Sequence, residues 1–291
     1  MFVAISDEAG DTGVSYRGGT RSFVSAIAIV RDENDLKELN DIARRFSRPY
    51  LKSQLRKWSD LKGSVKRNPS LLHQFYANTI DNFFEKTRFL IFSFFFLDKK
   101  KIETGTNPGL DKSVLERYIW QGYELCFKRI FAFTKRCHYV LRRYPTAPSL
   151  KWYLDRNISR EKQIRDSILK LARTNQVKLS GPHFISKKEH DPLRKELATS
   201  VKIVDLFAGV TRVCCEYYFN NGDDCSERDC NEADCCSNPY ISIWRLFLKR
   251  LCATKIRYRN KVIWDWNGVI YHPLQNRSQH ERFLGIDPFI I

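Results

Sequence analysis

The sequence lacks any apolar run long enough to cross a membrane. Its longest run, Phe89–Leu97, is interrupted by Ser93 and is far shorter than the roughly 20 residues that a transmembrane helix needs. The beginning of the chain also lacks the features of a secretory signal, because the short apolar stretch Met1–Ile5 leads directly into polar residues. We therefore expect a cytoplasmic protein without a membrane partner.

Several common enzyme motifs are missing as well. The sequence contains no P-loop, no dinucleotide-binding glycine pattern and no G-x-S-x-G nucleophile motif. The nine cysteines of a long intracellular chain are more typical of free thiols than of a disulfide framework. Four of them fall in one acidic segment, at positions 225, 230, 235 and 236. Their gaps of four residues and none are poor for a zinc site, so we predict a flexible acidic loop there.

Acidic residues are few relative to basic ones. The chain has 50 Lys and Arg against 33 Asp and Glu, a formal net charge of +17. Such an excess attracts phosphate backbones with little regard to sequence, so we expect a nucleic-acid partner. Two tracts carry much of the excess, Arg44–Arg67 with nine basic residues and one acid, and Lys249–Lys261 with six and none. The residues expected to contact nucleic acid are Arg56, Lys57, Lys62, Lys202, Arg257 and Arg259.

Aromatic residues accompany the second basic tract. Tyr258, Trp264 and Trp266 lie within or just behind it. Aromatic side chains between cations are typical of surfaces that stack on unpaired bases. A pair of strands with one packed aromatic face explains the pattern equally well, and both interpretations stay open.

Hydrophobic periodicity predicts an α/β protein. Strands are expected at residues 2–6, 21–30, 88–97, 149–155 and 177–185, and helices at 35–46, 71–84, 111–134, 160–173, 197–219 and 241–251. The segment 47–68 has few apolar residues at any regular spacing, and we interpret it as an exposed basic insertion. Without the helices inserted after the second strand, this order is that of the ribonuclease H-like fold, a mixed five-stranded sheet with flanking helices.

The same pattern suggests how the chain is organised. We expect a ribonuclease H-like domain at 1–220, with a basic helical insertion at about 31–87. The acidic cysteine-containing loop would occupy 221–239, and a helix with a basic aromatic extension, 240–291, would pack on the core.

Three aspartates suggest a metal site. Asp7 ends the first predicted strand, Asp155 ends the fourth, and Asp205 lies on the last helix of the core. Mg²⁺ and Mn²⁺ prefer oxygen ligands, and one or two such ions can drive phosphodiester cleavage. Glu116, near the start of the helix after the third strand, is the better candidate for a fourth carboxylate. Glu8 is the alternative, although it should point away from Asp7 on a regular strand.

Each aspartate alone has an ordinary explanation. An Asp at the end of a strand commonly forms a turn, and an Asp on a helix commonly faces solvent. Asp205 argues most strongly against this, because the surrounding sequence V-K-I-V-D-L-F-A-G-V is apolar and a buried charge is costly unless it is paired. His183 and His190 flank a stretch with Lys187 and Lys188. A histidine near a metal site could act as an acid or a base, and His183 is the stronger candidate, but we favour exposed loop histidines and leave both out of the catalytic set.

These residues also carry a family resemblance. The opening I-S-D-E-A-G-D-T-G resembles the D-E-S-G-D start of the family called domain of unknown function 3800, with Ala9 in place of Ser. Lys57–Lys62 is similar to the family's K-W-S-x-L segment, Leu154 and Asp155 match a strand that ends in Asp, and Val201–Gly209 is similar to its Q-x-x-D-L-x-A-G motif. The resemblance covers about residues 1–215 and implies a ribonuclease H-like nuclease site.

The chain departs from that family at two points. Lys202 stands at the position of the family's Gln, and Leu55 and Arg56 stand where an acid often precedes the K-W segment. We therefore keep two hypotheses, a divalent-metal-dependent nuclease that acts on DNA or RNA, and a non-catalytic module that binds nucleic acid or protein. Convergence of the three carboxyl groups within about 4–6 Å of one point, as shared metal ligands require, would separate them.

Overall fold

The structure is a computed structural model of the chain. It describes residues 1–10, 22–98, 112–140, 148–156, 160–187, 192–221, 239–248, 254–258, 261–265 and 269–272. None of the helices in these ranges combines the length and the apolarity that crossing a bilayer requires.

One mixed β-sheet forms the centre of the fold. Its strands are β1 (Phe2–Ala9), β2 (Ser22–Val30), β3 (Ile91–Asp98), β4 (Ser149–Asp155), β5 (Lys178–Ile185) and β8 (Val269–His272). The strand order is β5-β4-β1-β2-β3-β8. Strands β1, β2 and β3 are antiparallel neighbours, whereas β4 runs parallel to both β1 and β5. The short β8 extends the sheet by pairing parallel to β3, and β6 (Thr254–Tyr258) and β7 (Lys261–Asp265) form a separate antiparallel pair.

Helices cover both faces of the sheet. They are α1 (Glu33–Leu51), α2 (Gly63–Lys66), α3 (Pro69–Thr87), α4 (Lys112–Val140), α5 (Glu161–Thr174), α6 (Pro192–Asn221) and α7 (Pro239–Leu248), with a 3₁₀ turn at Trp58–Asp60. Alternation along β1 separates the two cores, because successive strand residues point to opposite faces. Val3 and Ile5 pack with residues of α1, α3, α6 and α7, whereas Phe2 and Ala4 pack with residues of α4 and α5.

The predicted α/β class, with a mixed sheet and flanking helices, is confirmed. The five predicted strands are present, and β8 adds a sixth strand that the sequence did not predict. The expected strand 149–155 matches β4 at both ends. The helix expected at 71–84 is longer, because Asn68, rather than Ser70, caps it by accepting a hydrogen bond from Leu71 N–H at 3.1 Å. Pro69 then occupies the first turn, where the missing N–H of proline costs nothing.

The segment between α1 and α3 differs from its prediction as an exposed insertion. Helix α1 continues to Leu51, and Trp58, Leu61 and Val65 are buried in the core between α3 and α6. The basic residues hid this pattern, because the three apolar side chains follow neither a strand nor a single helix. Basic side chains therefore lie on the outside of a segment whose other side is part of the core.

Some predictions fall outside the described residues. The acidic cysteine loop and His190 are among them, as are Arg259 and Trp266. Of Arg257 only the backbone is described, in β6.

Candidate functional site

Three elements bring the predicted aspartates to one end of the sheet. Asp7 lies near the end of β1, and Asp155 is the last residue of the neighbouring parallel strand β4. The side chain of Asp7 follows Val3 and Ile5 on the face covered by α6, which carries Asp205. The side chains of Asp7 and Asp205 are 2% and 10% exposed, and that of Asp155 is 28% exposed.

A lysine occupies the point where these carboxylates meet. The Nζ atom of Lys187 lies 2.7 Å from Asp7 Oδ2, 3.0 Å from Asp205 Oδ1 and 3.4 Å from Asp155 Oδ2. Its side chain is only 15% exposed. The three carboxyl groups are therefore within 3.4 Å of one atom, which meets the condition for convergence set by the sequence analysis.

The two other motifs singled out in the sequence support Asp205. The backbone N–H of Trp58 donates a hydrogen bond to Asp205 Oδ2. The Trp58 ring can approach α6 so closely because residue 209 is glycine, where an added Cβ would lie 2.2 Å from ring atoms. The Lys57–Lys62 segment and the Val201–Gly209 segment thus form one packed unit that orients a carboxylate.

Among the described residues, one ammonium, that of Lys187, contacts the three carboxylates. Burial, together with the nearby carboxylates of Asp205 and Asp155, raises the pKa of Asp7 well above its usual range, although Lys187 opposes the shift. Burial also raises the pKa of Asp155. Three ionised carboxylates without Lys187 would carry three negative charges, of which a divalent cation in its place would offset two.

The chemistry of these residues fits a hard divalent cation, but their present spacing does not. Asp7 Oδ2 is buried, and the Lys187 ammonium lies 2.7 Å from it. Among the residues described, no group of three acidic, His or Cys side chains is arranged to hold a metal ion as it stands. The distances of 2.7–3.4 Å to Lys187 suit an ammonium, whereas Mg²⁺ needs oxygens at about 2.1 Å.

Asp7 and Asp155 border a cleft of about 510 Å³, whose described lining does not include Asp205. Glu8, Tyr123 and Arg156 line it together with Asp7, Asp155 and Lys187, and Phe127, Leu154 and Ile164 contribute apolar walls. Glu8 projects to the face opposite Asp7, as alternation along a strand requires, and accepts a hydrogen bond from Tyr123 Oη. It lines the cleft without joining the three aspartates around Lys187.

Glu116 is not part of this group. It is exposed on α4 and is absent from the described residues that line the cleft. Between the two glutamates considered as a fourth carboxylate, Glu8 is therefore the nearer to the site, contrary to the preference drawn from the sequence. The sequence did not show that Glu116 faces away from the sheet, because Ile119 and Tyr123 on the same helix do face it.

The described side chains expected to contact nucleic acid lie on α6 and on the segment that includes Trp58. Arg56 and Lys62 are exposed, Lys57 and Lys202 are half-buried, and Lys57 forms a 3.7 Å ion pair with Asp60. Burial and the nearby cations Lys195 and Arg44 lower the pKa of Lys202. These residues form a basic surface on the outside of the 3₁₀ turn, α2 and α6.

Two residues of the site were missed in the sequence. Lys187 drew no prediction of its own in the sequence, where it was noted only between His183 and His190. Strand β5 pairs parallel to β4 with Asp155 opposite Ile185, so a lysine two residues later lies at the same edge as Asp155. The backbone N–H of Trp58 carried no signal of its own, because any residue type supplies one.

No protein-family model matches the chain, and no curated protein matches it significantly.

Proposed function

We propose that the protein is a divalent-metal-dependent phosphodiester hydrolase of nucleic acids with a ribonuclease H-like site. The observation that carries this proposal is the meeting of Asp7, Asp155 and Asp205, from three separate elements, around one cation position. Holding three buried or partly buried carboxylates together costs free energy through desolvation and mutual repulsion, unless a cation offsets that cost. The resemblance to the domain of unknown function 3800 family points to the same chemistry and stays part of the proposal.

Mg²⁺ or Mn²⁺ at this position would supply Lewis acidity at the scissile phosphate and activation of a water nucleophile. The residues of the chain have separate tasks. Asp7 and Asp205 hold the cation from within the core, and Trp58 fixes the orientation of Asp205 through its backbone N–H. Asp155, the most exposed of the three aspartates, faces the cleft where the phosphodiester would enter.

The basic surface would hold the nucleic-acid backbone beside the site. Lys57 and Lys62 belong to the same segment as Trp58, and Lys66 lies 5.6 Å from the centre of the Trp58 ring. The field of Asp205 reaches Lys66, since it partly offsets the lowering of the Lys66 pKa by burial and by Arg212. A phosphate held by these lysines would lie close to the carboxylates without needing any base-specific contact.

The test is a cleavage assay with Mn²⁺ and Mg²⁺ on single- and double-stranded DNA and RNA. Asp7→Asn and Asp205→Asn should each abolish cleavage while preserving or improving binding, because the repulsion of phosphate falls. Asp166→Asn is the matched control, since Asp166 is exposed on α5 and the substitution changes charge equally. Cleavage by Asp7→Asn and Asp205→Asn at the parent rate would refute the proposal.

A second candidate is a non-catalytic module that binds nucleic acid or a protein. Lys187 favours it, because an ammonium that stays among the carboxylates would do structurally what a metal ion does in an enzyme. In that case no substrate in the assay is cleaved with either ion, and binding of Mn²⁺ to the parent protein is undetectable by calorimetry.

A further inference from the structure

Lys187 is the buried titratable group that the proposed reaction leaves without a task. Its ammonium contacts all three aspartates at 2.7–3.4 Å, and a metal ion bound by the same oxygens could not coexist with it there. The Lys187 ammonium and a metal ion would therefore occupy the same position. Either the lysine excludes the metal ion or the metal ion displaces the lysine.

The position of Lys187 in the fold makes displacement feasible. Its strand, β5, ends at Ile185, so the lysine lies beyond the regular sheet hydrogen bonds. Part of the side chain, 15%, remains exposed, and the residue lines the cleft beside Asp155 and Arg156. A lysine ammonium on a flexible four-carbon stem is strongly hydrated, so the open cleft offers it an alternative environment in water.

Backbone hydrogen bonds hold two of the carboxylates independently of Lys187, which also indicates that the lysine is the exchangeable partner. Asp205 Oδ2 accepts the Trp58 N–H, and Asp7 Oδ1 accepts the N–H of Glu8 at 2.7 Å. These bonds keep both carboxylates in place whichever cation they face. Lys187 contacts the other oxygen of each carboxylate, Asp7 Oδ2 and Asp205 Oδ1, so exchanging the cation leaves both backbone hydrogen bonds intact.

We propose that Lys187 is a resident internal counter-ion that competes directly with divalent cations for Asp7, Asp155 and Asp205, and leaves for the cleft when such an ion binds. This inference rests on the proposed function for the identity of the ion. Lys187 keeps the empty acidic site folded, and in return it weakens the affinity for metal. Because coupling between two binding events is reciprocal, the metal ion must also expose the lysine.

The first test measures Mn²⁺ affinity by calorimetry in the parent, Lys187→Met and Lys151→Met. Lys151 is the matched control, since it is a half-buried sheet lysine whose 2.8 Å ion pair is with Glu33 rather than with the three aspartates. Removing the competitor should tighten Mn²⁺ binding by roughly tenfold or more, within the usual range for coupled sites. Lys151→Met should bind Mn²⁺ like the parent. Unchanged or weaker binding by Lys187→Met would overturn the inference.

The second test uses the parent protein alone, so it does not depend on whether Lys187→Met folds. Amine acetylation followed by peptide mass spectrometry should show that Lys187 reacts slowly without metal and several-fold faster in saturating Mn²⁺. Acetylation of Lys151 should not change with Mn²⁺. Equal protection of Lys187 with and without bound Mn²⁺ contradicts displacement.

The outcomes also separate this inference from the proposed function. If the parent binds Mn²⁺ and cleaves nucleic acid while Lys187→Met gains no affinity, the inference alone fails. If only Lys187→Met binds Mn²⁺, the competition is supported and the metal-dependent activity of the parent is refuted. If Lys187→Met combined with Asp205→Asn binds as tightly as Lys187→Met, the carboxylates are not the ligands and both proposals fail.

Discussion

Replacing Gly209 with alanine should disturb the site without touching a carboxylate. An alanine Cβ at this position would lie 2.2 Å from atoms of the Trp58 ring, so the ring must move. Alanine favours a helix interior over glycine by about 1 kcal/mol. Forcing a large buried ring to shift costs about 1–3 kcal/mol and exceeds that gain when the ring cannot be accommodated elsewhere.

The Trp58 ring has little room to move. It is 7% exposed and packed in the core, and complete loss of roughly 200 Å² of aromatic contact area would cost about 5 kcal/mol as an upper limit. We therefore expect Gly209→Ala to lower the free energy of unfolding by about 1–2 kcal/mol. The midpoint of thermal unfolding should fall by roughly 2–3 °C in a chain of this size. Shifting Trp58 also withdraws its N–H from Asp205, so Mn²⁺ affinity should fall too.

Two other glycines provide matched controls. Gly122→Ala meets the Phe95 ring at 2.3 Å on the opposite face of the sheet, so it should lose stability but keep the parent's Mn²⁺ affinity. Gly63→Ala meets no atom within 4 Å and should change stability by no more than about 0.5 kcal/mol. Calorimetry and thermal unfolding measure both properties. A Gly209→Ala protein with the parent's stability, or with a Mn²⁺ affinity like that of Gly122→Ala, would show that Trp58 does not orient Asp205.

Three further predictions concern buried polar groups. Burial raises the pKa of Cys126 to about 11, so at pH 8 this thiol should react with an aromatic disulfide reagent only after unfolding, as peptide mapping would show; labelling in the native state would contradict it. The side-chain amide of Asn40 joins α1 to α6 by donating to the Glu196 carbonyl at 3.1 Å and accepting from Ser200 at 3.0 Å. Asn40→Ala should therefore cost about 1–3 kcal/mol in urea unfolding, and a cost below the error of the measurement would count against this account. Tyr76→Phe removes a 2.7 Å hydrogen bond to the Leu206 carbonyl and should lower the free energy of unfolding by about 1 kcal/mol. An unchanged midpoint of urea unfolding would contradict this prediction.

The sequence predicted best those features that depend on alternation and on strand ends. Strand β4 has buried Leu150, Trp152 and Leu154 between more polar residues, so its pattern and its terminal aspartate could both be recognised. The same logic placed Asp7 at the edge of the sheet. Asp205 was suggested by its apolar neighbours, which left no room for an unpaired charge.

Features that depend on tertiary packing were harder to predict. The segment around Trp58 follows no regular period, because its three buried apolar side chains come from a 3₁₀ turn, the connection after it and a short helix. Lys187 looked like one cation among many in a chain with 50 basic residues. Its role depends on the register between β4 and β5, which a single sequence does not specify.

The hydrogen bond from Trp58 to Asp205 joins residues far apart along the chain. The third partner of the site, Asp7, comes from the first strand, β1. Contacts of such long range form slowly and late in folding, since loop closure must precede them. The acidic centre is consequently incomplete in every truncated or half-folded form that lacks α6. During synthesis of the chain, the acidic centre can therefore form only after the strands and helices that hold it, up to α6, have been made.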